Sequence, residues 1–241
     1  MKVDILAIGV HPDDVELSCV GTLLKHIDEG KTVGLLDLTE GELGTRGTVE
    51  TRYEEAENSR RHMGASFRKN LQMQDGFFRN TPKNIRKIIE VVRWCRPEIV
   101  LVNAPSDRHP DHGRAAKLST DALYYSGLKM IETEFEGQPQ GKWRPKAVYH
   151  YIQDYNLEPD FVLDITGYLD KKFECIACFK TQFHTNSDEA KQGEQTPISG
   201  ADFMDYLKGR ARIYGRPAGF EYAEGYIKSR TFGVRSLFDL S

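Results

Sequence analysis

The sequence has few cysteines, four among 241 residues, and they are not arranged in a disulfide-dense pattern. A secreted domain held by disulfides is therefore excluded, and we expect reduced thiols in a cytoplasmic protein. Cys175 and Cys178 have the spacing of a redox or zinc pair, but a zinc ribbon needs a second such pair, which the sequence lacks. Because apolar residues recur around them with helical spacing, we favour two buried cysteines on one helix.

Long apolar runs and an excess of charge of either sign are also missing. No stretch approaches the roughly 20 apolar residues that a membrane-spanning helix needs, and the first apolar run is too short for a signal peptide. The 33 basic and 36 acidic residues give a formal net charge of −3, whereas a nucleic-acid-binding domain normally has a basic face. The sequence therefore predicts neither a membrane nor a nucleic-acid partner.

What the sequence does contain is an alternation of short apolar runs and amphipathic segments. The apolar runs have the length of buried strands, which we predict at 3–10, 33–38, 71–73, 98–102, 148–152 and 161–165. Helices are predicted where apolar residues recur every three or four positions, at 17–27, 51–63, 82–96, 113–125, 166–182 and 199–214.

This order predicts an α/β fold, a Rossmann-like, doubly wound and mostly parallel sheet with helices on both faces. The alternation runs through about the first 125 residues, and the remainder is interpreted as an appended C-terminal part. At this length we expect residues 1–241 to form a single domain.

Two polar stretches interrupt the alternation. Residues 40–47 are rich in glycine, but the spacing of their glycines matches neither the dinucleotide fingerprint nor the P-loop. We therefore interpret them as a mobile loop over a functional site at the ends of the strands. Residues 184–200 are interpreted as a flexible or partner-ordered loop. The segment 222–226 is expected to return to the body of the protein, and the residues after it show no clear pattern.

Two clusters of histidine and aspartate follow predicted strands. His11-Pro12-Asp13-Asp14 comes directly after the first apolar run, and His109-Pro110-Asp111-His112 follows the strand that ends at 102. Ligands of open α/β sheets bind beyond the carboxyl ends of the strands, so we expect both clusters at one site. Each cluster alone reads equally well as a turn, because proline and aspartate are ordinary turn residues.

The two clusters together favour a metal site. They contain three histidines that two turns do not need, and the neighbouring carboxylates of Asp13 and Asp14 would repel without a cation nearby. Catalytic zinc takes three such ligands and keeps a fourth position open. We predict that His11, Asp14 and His112 bind one Zn²⁺ per chain, with another divalent ion such as Fe²⁺ as the alternative.

The remaining polar residues of the clusters suit hydrolysis, which zinc assists at neutral pH. Asp13 is the predicted general base. His109, as a cation, is expected to stabilise an oxyanion or to protonate the leaving amine. Asp111 is expected to orient or charge a histidine and to raise the pKa of His109. The sequence has no G-x-S-x-G or H-E-x-x-H pattern, so a serine hydrolase or a protease of that type is not supported.

Two further residues are candidates for substrate binding. Arg52 falls in the first turn of a predicted helix, where the helix dipole disfavours a cation, so it either serves a ligand or is a solvated surface arginine. Asp75 follows another predicted strand and is either a site residue or part of a turn.

With both clusters in view, the sequence resembles the PIG-L/LmbE-type zinc deacetylases, which remove the acetyl group from N-acetylglucosamine units. The resemblance extends from His11-Pro12-Asp13-Asp14 to Tyr222-Ala223-Glu224-Gly225 and so covers most of the chain. The stretch from Gly47 to Ala56, with Asp107-Arg108, is similar to the bacillithiol-biosynthesis branch, which deacetylates N-acetylglucosaminyl malate. Val15 stands where family members often have glutamate, and Glu16 follows it.

The resemblance implies the same zinc ligands, with Asp13 as base, His109 as electrostatic partner, and Arg52 and Asp75 in contact with the sugar or its substituent. A small amino-sugar substrate is therefore expected. The alternatives are deacetylation of a chitooligosaccharide or an inositol-linked sugar, or a non-catalytic sugar- or metal-binding module. We also expect a homo-oligomer, although no residue pattern specifies one.

Overall fold

The computed structural model describes residues 1–183, 196–200, 202–231 and 233–240. The strands in this part of the chain are β1 (Ile5–Gly9), β2 (Val33–Thr39), β3 (Phe67–Met73), β4 (Ile99–Val102), β5 (Glu134–Phe135), β6 (Gln138–Pro139), β7 (Ala147–Tyr151), β8 (Phe161–Asp164) and β9 (Ala223–Lys228). The helices are α1 (Asp14–Ser18), α2 (Val20–Asp28), α3 (Val49–Met63), α4 (Pro82–Cys95), α5 (Pro110–Ser126), α6 (Leu169–Ala177) and α7 (Asp202–Gly215), with 3-10 turns at Arg216–Ala218 and Leu237–Leu240.

The central sheet has seven strands in the order β3-β2-β1-β4-β7-β9-β8. The first five in this order are parallel, whereas β9 runs antiparallel to both of its neighbours. The chain leaves β1 toward β2 and β3 and then returns to β4 on the other side, so the strand order reverses between β1 and β4. Ligands of such sheets bind at this point. The predicted doubly wound, mostly parallel sheet is confirmed.

Helices cover both faces of the sheet because alternate residues of the central strands face opposite sides. Leu6 and Ile8 of β1 belong to a core cluster that includes side chains of α4 and α5. Ile5 and Ala7 belong to a second cluster that includes Leu23 of α2. Among the helices of the described residues, none is long and apolar enough to cross a membrane.

Several predicted elements have different bounds in the structure. The helix predicted at 17–27 is two helices, α1 and α2, which are separated at Cys19 by a non-helical φ of −138°. The helix predicted at 113–125 begins three residues earlier, at Pro110, because proline suits the first position of a helix. The helix predicted at 166–182 spans only Leu169–Ala177.

Two other regions were assigned incompletely from the sequence. The tail around 222–226 does return to the body, but as the sheet strand β9. Of the predicted loop 184–200, residues 184–195 lie outside the described residues. Cys175 is buried on α6, but Cys178 is only partly buried and follows the end of the helix, so the expectation of two buried cysteines on one helix holds for Cys175 alone.

The break at Cys19 allows a distant carboxylate to cap α2. Glu224 on β9 accepts hydrogen bonds from the N–H groups of Gly21 (3.0 Å) and Thr22 (2.8 Å). The ammonium group of Lys172 on α6 lies 2.6 Å from Glu224 Oε1, and both side chains are buried. A carboxylate at a helix N-terminus is favourable, so this ion pair joins β9, α2 and α6.

We predict that Glu224→Gln destabilises the protein by about 3–5 kcal/mol, because it leaves the ammonium of Lys172 buried without its counter-charge. The free energy of unfolding in urea measures the loss. Glu98→Gln is the control, since its pair with Lys146 is exposed and such pairs contribute at most about 1 kcal/mol. A loss of the same size in both variants would show that the buried pair does not stabilise the fold.

Candidate active site

Both His/Asp clusters open into one cavity of about 340 Å³ at the carboxyl ends of β1 and β4. Every residue predicted from the sequence to belong to the site lines this cavity except Asp111, which lies directly behind His11. The cavity wall includes His11, Asp13, Asp14, Arg52, Asp75, His109 and His112. The structure therefore brings residues of both clusters together at one cavity.

The ring of His11 is held between carboxylates. Its Nε2 lies 3.0 Å from Asp75 Oδ1 and 3.8 Å from Asp111 Oδ2. Its other nitrogen, Nδ1, lies 3.9 Å from Asp14 Oδ2. In the neutral ring, a proton on Nε2 is bonded to Asp75 and the lone pair lies on Nδ1, on the side of Asp14.

His112 is also held by a carboxylate, that of Asp107. Asp107 was not among the residues predicted from the sequence to belong to the site. Nδ1 of His112 lies 2.5 Å from Asp107 Oδ2, and its Nε2 lies 3.2 Å from Asp14 Oδ1. Asp111, which was expected to orient or charge a histidine, lies 3.8 Å from His11 through Oδ2 and accepts a hydrogen bond from Arg114 at 2.6 Å through Oδ1. Each of the two histidines therefore has a carboxylate on one nitrogen and Asp14 near the other, an arrangement typical of metal-ligating histidines.

Asp14 is the most heavily hydrogen-bonded carboxylate of the site. Its Oδ2 accepts the backbone N–H groups of Val10 (2.9 Å) and His11 (3.0 Å) and the side-chain amide of Asn103 (3.0 Å). Burial alone favours its protonated form, but His112 and these donors outweigh burial and hold the pKa of Asp14 well below its usual range. Asp14 is therefore an anion at neutral pH.

Asp13 has the opposite electrostatic environment. Burial, together with the negative charge of Asp14, raises the pKa of Asp13, while the guanidinium of Arg52 acts in the other direction. Its backbone φ is +135°, an uncommon value for any residue other than glycine. A buried carboxyl with a raised pKa at the cavity wall is suited to general base catalysis.

His109 caps α5 through its ring. The N–H of Asp111 donates to His109 Nδ1 at 3.3 Å, so the neutral ring carries its proton on Nε2. Burial and the neighbouring His11 and His112 lower the pKa of His109. Asp111 contributes in the expected direction and raises this pKa, but burial and the charges of His11 and His112 outweigh it.

Two groups of side chains among the described residues bring potential metal ligands together. The first is His11, His109 and His112, and the second is His11, Asp75 and Asp111, with ligand atoms within 4.8 Å of one another in each group. Asp14 contacts two members of the first group, as given above. The donor set of imidazole nitrogens and one ionised carboxylate oxygen fits a divalent transition metal.

Gln153 is a site residue that the sequence reasoning missed. Its Nε2 lies 3.0 Å from Asp14 Oδ1 and 3.3 Å from His112 Nε2. Its Oε1 accepts the N–H of Ala104 and the amide of Asn103, both at 3.1 Å, which fixes the orientation of its side chain. Asn103 directly follows β4 and Gln153 closely follows β7, so the rule that polar residues after strand ends form the site would have found both.

Arg52 is not a solvated surface arginine, because it is buried and donates from Nη2 to Gln182 Oε1. The glycine-rich loop packs on its guanidinium, and a Cβ at Gly41 would lie 2.5 Å from Arg52 Nη1. The same loop reaches Asp75, whose Oδ2 accepts the N–H of Leu43 at 3.2 Å. The loop thus forms one wall of the cavity beside both predicted substrate contacts.

Comparisons with known proteins agree with the fold. A family model described as PIG-L: GlcNAc-PI de-N-acetylase matches residues 6–123. Diacetylchitobiose deacetylase of Thermococcus kodakarensis is 29% identical over 231 residues, covering 92% of this chain and 81% of that protein. The crystal structure of a conserved protein from Thermus thermophilus is similar with a TM-score of 0.84 and 30% identity, covering 97% of this chain and 98% of that one.

One relative has a different activity. The 4-oxalmesaconate hydratase of Pseudomonas putida is 26% identical over 195 residues, covering 74% of each chain. The fold, the site and the deacetylase relatives together nevertheless define an enzyme class, that of hydrolases acting on N-acetyl amides. The chain belongs to the PIG-L family.

We predict that His109 titrates below the ordinary histidine pKa of about 6.5, since its pKa is lowered by burial and by the neighbouring rings. At pH 7 it is then neutral with the proton on Nε2. Nitrogen-15 NMR of histidine-labelled protein measures both properties, with the signal assigned from His109→Gln. A midpoint above 6.5, or a proton on Nδ1 of the neutral ring, would contradict this assignment.

We also predict that Gln153→Leu weakens metal binding by about 10- to 100-fold, the usual effect of removing a hydrogen bond to a metal-ligating side chain. Competition with a chromophoric chelator measures the affinity. Gln140→Leu serves as the control, because Gln140 donates to Glu90 O, away from the cavity. Equal affinities in the two variants would show that Gln153 does not position Asp14 for the metal.

Proposed function

We propose that this protein is a zinc-dependent hydrolase that removes the acetyl group from an N-acetylglucosamine conjugate, with N-acetylglucosaminyl malate as its substrate. The observation that carries the proposal is the paired arrangement of His11 and His112, each with a carboxylate on one nitrogen and Asp14 near the other. Asp13 and His109 add an acid–base pair at the same cavity.

His11, Asp14 and His112 are the proposed ligands of one zinc ion. When bound, zinc supplies Lewis-acid assistance to hydrolysis at neutral pH. The acidic partners Asp75 and Asp107 support the assignment, because they fix which nitrogen of each imidazole is available. The ionised state of Asp14 also supports it, since a carboxylate ligand must be deprotonated.

Asp13 is the proposed general base, which accepts a proton from the attacking water as the carbon–oxygen bond forms and returns it to the leaving amine as the carbon–nitrogen bond breaks. The guanidinium of Arg52 favours the ionised carboxylate that this role requires. His109 donates its Nε2–H to the amide oxygen as negative charge develops there. A neutral imidazole at a helix N-terminus performs this role without a charge that the helix dipole would disfavour.

The proposed substrate contacts remain Arg52 and Asp75. Arg52 lines the cavity, and its Nε has no hydrogen-bond partner among the described residues. Asp75 also lines the cavity, although its Oδ1 contacts His11. A role for Asp111 in catalysis is proposed only through His11, from which it lies 3.8 Å away.

The malate substituent rests on the resemblance to the bacillithiol branch. The relative from Thermococcus kodakarensis favours diacetylchitobiose as the second candidate substrate. Inositol-linked sugars and a non-catalytic sugar- or metal-binding module are further alternatives.

A cytoplasmic location is proposed from the unpaired thiols of Cys19, Cys95, Cys175 and Cys178. That the chain forms one domain and that it assembles into a homo-oligomer both stay predictions.

We predict that the purified protein binds about one zinc ion per chain and releases acetate from N-acetylglucosaminyl malate. His11→Ala and His112→Ala should lose both metal and activity with the fold retained, because each variant removes one of three ligands. Metal analysis and circular dichroism test this expectation. Full zinc occupancy in either variant would contradict the ligand assignment.

A separate variant tests the general base. Asp13→Asn should retain zinc and lose about 10²–10⁴-fold in the rate of acetate release, the usual contribution of acid–base catalysis. Asp154→Asn is the matched control, since Asp154 also lines the cavity but pairs with Arg108 near its exposed mouth. Loss of zinc from Asp13→Asn would make Asp13 a ligand instead of a base.

A further inference from the structure

Arg210 of α7 lines the same cavity as the histidines, and its side chain has no anionic partner among the described residues. It is 9% exposed, and it donates one hydrogen bond, from Nη2 to Leu17 O at 3.3 Å. The guanidinium lies 5.6 Å from the centre of the Tyr206 ring. Across the described parts of the chain, no carboxylate forms an ion pair with it within 4.0 Å.

Two other buried arginines of this protein have more partners than Arg210. Arg68 forms ion pairs with Asp37 and Glu16, at 2.6 Å each. Arg93 has no carboxylate partner either, but it donates four hydrogen bonds, to three carbonyl groups and a hydroxyl. Of its five N–H donors, Arg210 uses one in a hydrogen bond to the described residues. A buried charge with so few partners is costly, unless a ligand completes its coordination.

A second unpartnered donor belongs to the same cavity wall. The hydroxyl of Ser18 is 4% exposed and has no hydrogen-bond partner among the residues that the structure describes. Ser18 directly follows Leu17, whose carbonyl oxygen accepts the hydrogen bond from Arg210. The guanidinium of Arg210 and the hydroxyl of Ser18 therefore indicate, independently, a site on this wall where hydrogen-bond donors lack acceptors.

The position of Ser18 relates this site to the reaction centre. Asp14 and Ser18 are four residues apart on α1, so they lie on one helix face about 6 Å apart along the axis. A substrate whose acetamido group lies at Asp14 would therefore bring a substituent on the neighbouring ring carbon to Ser18 and Arg210.

We propose that Arg210 and Ser18 form a subsite for a carboxylate on the substituent of the amino sugar. This inference rests on the proposed function and specifies its substrate class as an acidic conjugate. One unpaired guanidinium and one hydroxyl match the charge and the two oxygens of a carboxylate. Arg52 has a different environment, because it binds Gln182 and its charge acts on Asp13, so its proposed contact with the substrate lies beside the reaction centre.

The test compares two substrates that differ in charge, N-acetylglucosaminyl malate and its dimethyl ester. The readout is the ratio of kcat/KM for the acid to kcat/KM for the ester on the same protein, so a general loss of folding or catalysis cancels. In Arg210→Gln this ratio should fall by about 10- to 100-fold, the usual effect of losing a hydrogen bond to a charged group. Arg210→Lys should recover part of the ratio, and Ser18→Ala should lower it less.

Two controls define the result. Arg212→Gln should leave the ratio unchanged, because Arg212 lies on the same helix but is exposed and contacts Glu221. Arg52→Lys should lower both kcat/KM values together.

An unchanged ratio in Arg210→Gln, with both substrates deacetylated, would overturn the subsite and leave the deacetylase function intact. No acetate release from either substrate or from N,N′-diacetylchitobiose would overturn the proposed function, and the subsite with it.

Discussion

The buried carboxylate of Asp14 is the group on which the arrangement of the site depends. It accepts backbone N–H groups at the end of β1, an amide from Asn103 after β4, and the amide of Gln153 after β7. It also lies 3.2 Å from His112 on α5. One side chain thus joins three adjacent strand ends and a helix N-terminus. Because these elements meet where the strand order reverses, the sheet topology and the site geometry have a common origin.

The same group explains the division of electrostatic roles. Asp14 is held ionised by its donors, and its charge contributes to the raised pKa of Asp13 next to it. Two neighbouring carboxylates with pKa values moved in opposite directions are what a ligand and a general base require. The histidines divide in a similar way, since two have carboxylate partners while His109 accepts a backbone N–H and remains neutral.

The sequence predicts the sheet and the location of the site well, because both depend on local patterns. Apolar runs of strand length and polar residues directly after them identify β1, β4 and the two clusters. Long-range pairing is not encoded in this way, so β9 was not recognised as a strand between β7 and β8. Asp107 was also missed as the partner of His112, because a spacing of five residues does not determine the orientation of the imidazole ring. The direction of the pKa shift of His109 was predicted wrongly, because burial and the charges of His11 and His112 outweigh the carboxylate of Asp111.

The central claim is that His11, Asp14 and His112 hold the metal, and a crystal structure of the zinc-loaded protein with anomalous data at the zinc edge tests it most directly. We predict one anomalous peak per chain, at about 2.0–2.2 Å from a nitrogen of each histidine and from an oxygen of Asp14. A peak bound instead by the alternative group of His11, Asp75 and Asp111 would contradict the account. The absence of any peak at the strand ends would contradict it as well.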